Sequence, residues 1–334
     1  VKTKVLNLTE GHRIIQGDCL DVLKQYPDDS VDLVFTSPPY LSQRSYSIDF
    51  NLKCDEWVPW ALERYLECCR ISRGLVAWVI EGNTKNYTYQ PSPFLLMAEL
   101  HKRGIKLRKP VVFHRVGIPG SGGPDWLRND WEPIICASKG KLPWSDNTAC
   151  GHEPKYGPGG APSNRRFDGS RVSNDKTTRP ITGGLEPQLQ SAIDGDTEMP
   201  PGTRLMLLPR GDGTMRRKLY IPPAKANPGN VIHCHGGGGH LGSPIAHENE
   251  APFPEKLADF FIKSFCPPGG VVLDPFGGSG TTLASAVSNG RIAHCIDIRE
   301  SQYELMSRRY AEAKSRKPSN TEESSQVCEP KAQE

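Results

Sequence analysis

The sequence predicts an α/β protein built on a largely parallel sheet. Three observations carry this. Apolar runs such as Leu75-Val76-Ala77-Trp78-Val79-Ile80 lack polar alternation, the pattern of a strand covered on both faces. Helix-like stretches alternate with these runs. Two loops rich in Gly or Pro directly follow such strands, at the edge where open α/β sheets bind ligands.

The elements follow in order. Val31-Asp32-Leu33-Val34-Phe35-Thr36 reads as the first strand. Residues 55–71, rich in Trp, Leu, Glu and Arg, read as a helix, and 75–80 as the next strand. Pro110-Val111-Val112-Phe113 and Pro133-Ile134-Ile135-Cys136-Ala137 are shorter strand candidates. Pro254–Phe265 puts Leu257, Phe260, Phe261 and Phe265 on one helical face. Val271–Leu273, Thr281–Asn289 and Ile292–Ile298 then make a βαβ unit, with Leu283, Ala286 and Val287 inward and a final helix at Ser301–Ala313. Residues 140–250 differ: Gly, Pro, Asn, Ser and Arg dominate, few windows are periodic, and a functional insertion or mobile segment is expected. Residues after about 315 are Ser, Glu, Lys and Gln and read as a disordered tail.

Composition narrows the class. The 334 residues suffice for one large domain or two smaller ones. With 36% apolar and 24% charged residues, the chain is globular rather than wholly disordered. No apolar run is long enough to span a membrane, and Val1-Lys2-Thr3-Lys4 opens no secretion segment. The ten cysteines are scattered without a CxxC pair, so reduced thiols and a cytoplasmic location are expected. The net charge of +3 hides an asymmetry: residues 101–220 carry 20 Lys and Arg against 12 Asp and Glu. A polyanion surface and a solvated loop region both fit that surplus.

Two motifs carry chemistry. Asp274-Pro275-Phe276-Gly277-Gly278-Ser279-Gly280-Thr281-Thr282 follows a strand and opens a helix. Its glycines let backbone approach a ligand, and the helix start offers free N–H groups. Asp297 ends the next strand, where a carboxylate can accept the two hydroxyls of a ribose. The unit is read as an adenosine-type cofactor site, with a bare Gly-rich turn as the alternative. No Lys follows Gly280, which argues against a phosphate-loop nucleotidase. Asp274 would repel a pyrophosphate and suits a cationic or amino-bearing ligand such as the methionine part of S-adenosylmethionine. The second motif, Thr36-Ser37-Pro38-Pro39-Tyr40, is a rigid, polar loop with an aromatic end. Alone it could simply terminate a strand.

Together the two motifs resemble the DNA amino-methyltransferases, whose catalytic loop reads Ser/Asp/Asn-Pro-Pro-Tyr/Phe and whose cofactor loop carries Phe-x-Gly-x-Gly. The catalytic loop comes first here, the order of the beta class. Gly17-Asp18-Cys19-Leu20, Ala251-Pro252-Phe253-Pro254-Glu255-Lys256-Leu257 and Trp131-Glu132-Pro133-Ile134 match further family segments. The resemblance implies a Rossmann-like, mixed, mostly parallel seven-stranded methyltransferase sheet with helices on both faces. It implies S-adenosylmethionine as cofactor, held by Asp18, Phe253, Pro254, Asp274, Phe276, Gly278, Gly280, Thr281 and Asp297. It implies catalysis by Ser37, Pro38, Pro39 and Tyr40. Two halves of a methyltransferase domain are expected at 1–140 and 251–314. They flank a target-recognition region at 141–250, with a tail at 315–334.

The implied reaction is methylation of the exocyclic amine of a flipped base in double-stranded DNA. Ser at position 37 favours N4 of cytosine, with N6 of adenine as runner-up. Arg165, Arg166, Arg171, Arg216, Arg217 and Lys218 are the candidate DNA contacts. A monomer or homodimer is expected, with a cognate restriction endonuclease as a separate partner. A silent DNA-binding module and an RNA or protein methyltransferase are the competing classes. His233-Cys234-His235 with His240, joined by Cys150 and His152, fits no standard zinc spacing, and no metal is expected.

Overall fold

The computed structural model describes residues 3–41, 50, 52–117, 125–152, 204–209, 214–220, 225–235 and 241–316. They fall into two units, Val1–Cys150 with Pro228–Glu334, and Gly151–Asn227. In the first unit the strands are β1 (Lys4–Asn7), β2 (Arg13–Gln16), β3 (Val31–Thr36), β4 (Ser72–Val79) and the small hairpin β5 (Asn83–Lys85) and β6 (Thr88–Gln90). They continue with β7 (Val111–Val116), β8 (Trp131–Ala137), β11 (Val231–His235), β12 (Val271–Asp274) and β13 (Ile292–Asp297). Its helices are α1 (Cys19–Leu23), α2 (Cys54–Ile71), α3 (Ser92–Lys102), α4 (Glu255–Phe265), α5 (Thr281–Ser288) and α6 (Glu300–Ser315).

The main sheet runs β1-β2-β13-β12-β3-β4-β8-β7-β11. Strands β2, β13, β12, β3 and β4 are mutually parallel, and β8 runs antiparallel to both its neighbours. The expected seven strands are the stretch from β2 to β7. β1 adds antiparallel to β2 at one edge and β11 adds parallel to β7 at the other, giving nine.

Every residue of β3 is buried, because helices cover both faces of the sheet. The period of two sends Leu33 and Phe35 into one core cluster, with Leu257 and Phe261 of α4, Leu283 of α5 and Met306 of α6. Val34 goes to the opposite cluster, with Trp57 of α2, Leu96 of α3 and Val22 of α1. Asp32 is the charged residue in this strand. Its carboxylate takes Arg73 Nε and Nη2 at 2.7 and 2.8 Å and the Val271 N–H at 2.8 Å, so it joins β4 and β12 to β3. Among the described residues, an early and a late segment of the unit meet: Thr9 Oγ1 lies 2.6 Å from Tyr310 Oη, and Lys314 Nζ lies 2.7 Å from Glu10 Oε1.

The expected boundaries at 140 and 250 move inward. Asp146 N–H donates to the Ser264 carbonyl and Leu142 packs on the core, so residues to 150 belong to the first unit. β11 alternates exposed and buried residues and joins the sheet, which brings the chain back at 228. The expected irregularity of 140–250 is also only partial. In the second unit β9 (Arg204–Pro209) and β10 (Met215–Tyr220) pair antiparallel, and His152 pairs with Ala226. Arg216, Arg217 and Lys218 therefore lie on a strand, as part of a basic tract whose charge concealed its β pattern.

Phe261 is fully buried and stacks on Phe35 with ring centroids 4.7 Å apart. Phe261→Ala is expected to cost about 3–5 kcal/mol of unfolding free energy in urea titration. A loss under 1 kcal/mol would show that this layer carries little of the core.

Candidate active site

β12 and β3 lie side by side, with Leu273 opposite Val34. The chain proceeds from β12 outward to β13 and from β3 outward to β4, so the strand order reverses between them. A crevice opens at such a reversal, beyond the C-terminal ends of the strands. Both motif loops emerge there. Thr36 Oγ1, at the end of β3, donates to Asp274 Oδ1, at the end of β12, at 2.5 Å. The same oxygen takes the Phe276 N–H at 3.0 Å.

The crevice is a cavity of about 380 Å³. Ser37, Pro38, Pro39 and Tyr40 line one side of it, and Phe276, Gly278, Thr281 and Asp297 another; Asp18 and Phe253 complete the expected wall. Pro39 is fixed from behind, its carbonyl taking the Trp57 indole N–H at 2.9 Å. Ser37 Oγ donates to Tyr40 Oη at 3.1 Å, and Tyr40 Oη donates to Glu132 Oε2 at 2.7 Å.

The rest of the lining combines carboxylates, aromatic faces and backbone N–H groups. Asp18 caps α1, accepting the Leu20 N–H at 2.8 Å, and its other oxygen lies 3.3 Å from Arg64. Asp297 accepts the Gly278 N–H at 3.0 Å, and Arg299 offers it both its backbone N–H, at 2.9 Å, and its guanidinium, at 3.1 and 3.3 Å. Gly278 has φ +48°, and a Cβ there would come within 3.0 Å of the Asn249 amide. Only Gly therefore leaves this corner open.

Three expected residues stand behind the wall. Pro254 is the buried N-cap of α4. Gly280, at φ +75°, is the N-cap of α5 and packs against Met306. Asp274 is 1% exposed and spends its Oδ1 on the two loops. Its negative charge therefore does not face the cavity, and its part is to hold the loops together. Of the candidate DNA contacts, Arg165, Arg166 and Arg171 lie outside the described residues, and Arg216, Arg217 and Lys218 lie on β10 in the second unit.

Sequence reasoning missed Phe50, Trp60, Arg64, Asn249 and Arg299, which also line the cavity. Trp60 and Arg64 are one helical turn apart on α2, and the Arg64 guanidinium sits 4.4 Å from the Trp60 ring centroid. Trp60 and Trp78 both flank Phe276, with centroids 5.7 and 5.6 Å away, so the Gly-rich loop's aromatic is set in an aromatic wall. The i, i+4 pair was the available signal for Trp60 and Arg64. Nothing local marks Asn249 or Phe50.

Cys19 lines the cavity, yet burial pushes its thiol up to about 12, which leaves it unreactive near neutral pH. In the His233-Cys234-His235 triplet, alternation buries Cys234 on the face opposite to its two histidines. His233 Nδ1 instead lies 2.9 Å from His114 Nδ1. Among the described residues no three His, Cys, Asp or Glu side chains gather as a metal would require. Nor is any helix among them long and apolar enough to cross a membrane.

Burial raises the Asp274 carboxyl from 3.8 to about 6, opposed by the hydrogen bonds from Thr36 and the Phe276 N–H and assisted by the charge of Asp297. The folded chain thus holds this proton more tightly than the unfolded one. Stability falls as pH rises from about 4 to about 6, where the group ionises while buried. Asp274→Asn keeps the accepting oxygen and removes that cost. It should stabilise the protein by up to about 3 kcal/mol at pH 8 and lose the advantage near pH 4, as read by melting temperature. An equal gain at both pH values would disprove the buried ionisation.

The comparisons with known proteins agree with this geometry. The family described as DNA methylase, of the N6/N4 methyltransferase type, matches residues 31–308. The DNA adenine methyltransferase YhdJ of Escherichia coli strain K12 is 24% identical over 96% of this chain and 93% of its own length. The type II methyltransferase M.PvuII of Proteus hauseri is 25% identical over 80% of this chain and 74% of its own. Among solved structures, the cytosine-N4-specific PvuII DNA methyltransferase shares the fold with a TM-score of 0.57 at 18% identity, covering 89% of this chain and 85% of that one. The family match spans both motif loops and their order along the chain, and on that ground the protein belongs to the DNA amino-methyltransferases of the beta class, which take their methyl group from S-adenosylmethionine.

Proposed function

We propose that this chain transfers a methyl group to N4 of a cytosine flipped out of duplex DNA at a specific site, as the methylating member of a restriction-modification pair or as an orphan enzyme. The observation that carries the reading is a shared cavity, lined by Ser37–Tyr40 on one side and by Phe276 and Gly278 on the other. The residues present suit the cofactor. Aromatic faces at Phe276 and Trp60 match an adenine, Asp297 and Asp18 offer carboxylates to polar edges, and the side-chain-free corner at Gly278 leaves room for close backbone approach. Asp297 now spends its lone pairs on Gly278 and Arg299, so ribose binding exchanges the guanidinium contacts for hydroxyls. When bound, S-adenosylmethionine supplies a methyl group on a cationic sulfur.

The protein's task is to make a weak nucleophile competent. The lone pair of an exocyclic amine is delocalised into its ring. Hydrogen bonds from its two N–H groups to the Ser37 hydroxyl oxygen and the Pro38 carbonyl draw the nitrogen toward sp³ and free that pair. Tyr40 stacks on the base. Pro39, held by Trp57, keeps the loop rigid, so little ordering remains for the transition state. The 151–227 unit is assigned to target recognition, with Arg165, Arg166, Arg171, Arg216, Arg217 and Lys218 offered to phosphates and base edges. The second reading is N6 of adenine, favoured by the full-length likeness to an enzyme named for adenine. The loop engages the H₂N–C=N edge common to both bases.

Incubation with S-adenosylmethionine and duplex DNA, digestion to nucleosides and mass analysis should yield N4-methyldeoxycytidine. N6-methyldeoxyadenosine would establish the second reading, and no modified nucleoside on any DNA, including mixed genomic DNA, would sink both. Tyr40→Ala should abolish transfer with cofactor affinity nearly unchanged. Asp297→Ala should weaken cofactor binding about tenfold or more in calorimetry, and an unaltered Kd would remove Asp297 from the ribose site. DNA affinity should fall steeply with salt, whereas a flat response would contradict a basic grip on phosphates.

A further inference from the structure

A serine hydroxyl carries one proton and two lone pairs, so holding the Ser37 proton on a fixed partner aims its lone pairs at an incoming amine. The hydrogen-bond chain behind the loop holds that proton. Ser37 Oγ donates to Tyr40 Oη at 3.1 Å, and Tyr40 Oη donates to Glu132 Oε2 at 2.7 Å. Glu132 stands on β8 and is 7% exposed. Its other oxygen pairs with the Arg115 guanidinium of β7 at 3.2 Å, and Glu81, after the end of β4, is close enough to feel its charge. An ionised carboxylate accepts and never donates. That sets one direction: Tyr40 gives its proton to Glu132, its oxygen takes the Ser37 proton, and the remaining Ser37 lone pairs face the cavity as acceptors.

We infer that Glu132 is a positioning residue for methyl transfer, which acts through Tyr40 to fix Ser37 as a hydrogen-bond acceptor and receives the proton that the methylated amine must lose. The inference rests on the function proposed above. Once the methyl group has joined the nitrogen, the amine carries one proton too many. That proton passes to Ser37 Oγ as the serine proton passes to Tyr40 Oη and the tyrosine proton to Glu132 Oε2. Three bonds to hydrogen break and three form, and the net product is a protonated Glu132, which yields its proton to water before the next turnover. The relay uses only the hydroxyl of the tyrosine.

The test is the single-turnover rate of methyl transfer from S-adenosylmethionine to duplex DNA in Glu132→Gln, Tyr40→Phe and the double variant, with cofactor affinity measured by calorimetry. The glutamine cannot take up the proton, and its amide can donate to Tyr40 and reverse the chain. Each single variant should be slowed about tenfold to a hundredfold with cofactor Kd within about twofold, and the double variant should be no slower than the slower single one. Glu132→Asp should recover part of the rate. A wild-type rate in Glu132→Gln, or losses that multiply in the double variant, would overturn the relay. Should Glu132→Gln melt early, Tyr40→Phe decides alone, since an undiminished rate there is incompatible with it. If the unmodified enzyme methylates no DNA, the function itself has failed rather than the relay.

Discussion

The structure depends on the pairing of β3 with β12, closed at its upper end by the hydrogen bond from Thr36 to Asp274 and at its lower end by the Asp32 bond to the Val271 N–H. These two strands come from distant parts of the chain, and each ends in one of the two loops that form the cavity. A parallel pair of this kind gains nothing from a local turn. It is held by the burial of Leu33, Val34, Val272 and Leu273 and by polar bonds at both ends. The burial of Asp274 is the cost of this arrangement. A carboxylate kept from water raises its own pKa, and the protein tolerates that because the same oxygen locks both loops.

Positioning inside the cavity is a matter of supporting bonds more than of the lining residues alone. Trp57 holds Pro39, Glu132 holds Tyr40, Arg64 holds Asp18 and Arg299 holds Asp297. The supports come from α2, β8 and the start of α6, so the helices on both faces of the sheet take part in aiming the two loops. Catalytic geometry of this precision requires that each loop side chain be restrained by a partner in the scaffold.

Much of this was legible in the sequence. The apolar run at 75–80 and the Leu33-Val34-Phe35 stretch within 31–36 gave their strands away because burial on both faces removes polar alternation. The loops at 37–40 and 276–280 were legible because Pro and Gly constrain the backbone in recognisable ways. β1, β2 and the α3 helix were not singled out, since short or mixed segments carry little periodicity. β10 was hidden by Arg216, Arg217 and Lys218, and Pro254, Gly280 and Asp274, expected to hold the cofactor, are not among the residues that line the cavity. Spacing along a chain identifies a loop, but which of its side chains face a cavity is decided by neighbours hundreds of positions away. For the same reason Asn249 and Phe50 carried no local sign of their place.

The meeting of residues 9–10 with 310–314 has a consequence for the history of such chains. Where the first and last elements of a folded unit are already in contact, a short tether could join them and a cut elsewhere could supply new ends. Contacts, sheet order and cavity would all survive, because none depends on which strand is synthesised first. The precedence of the Ser-Pro-Pro-Tyr loop over the Gly-rich one is thus a difference in how one closed circuit was opened rather than in what it encloses.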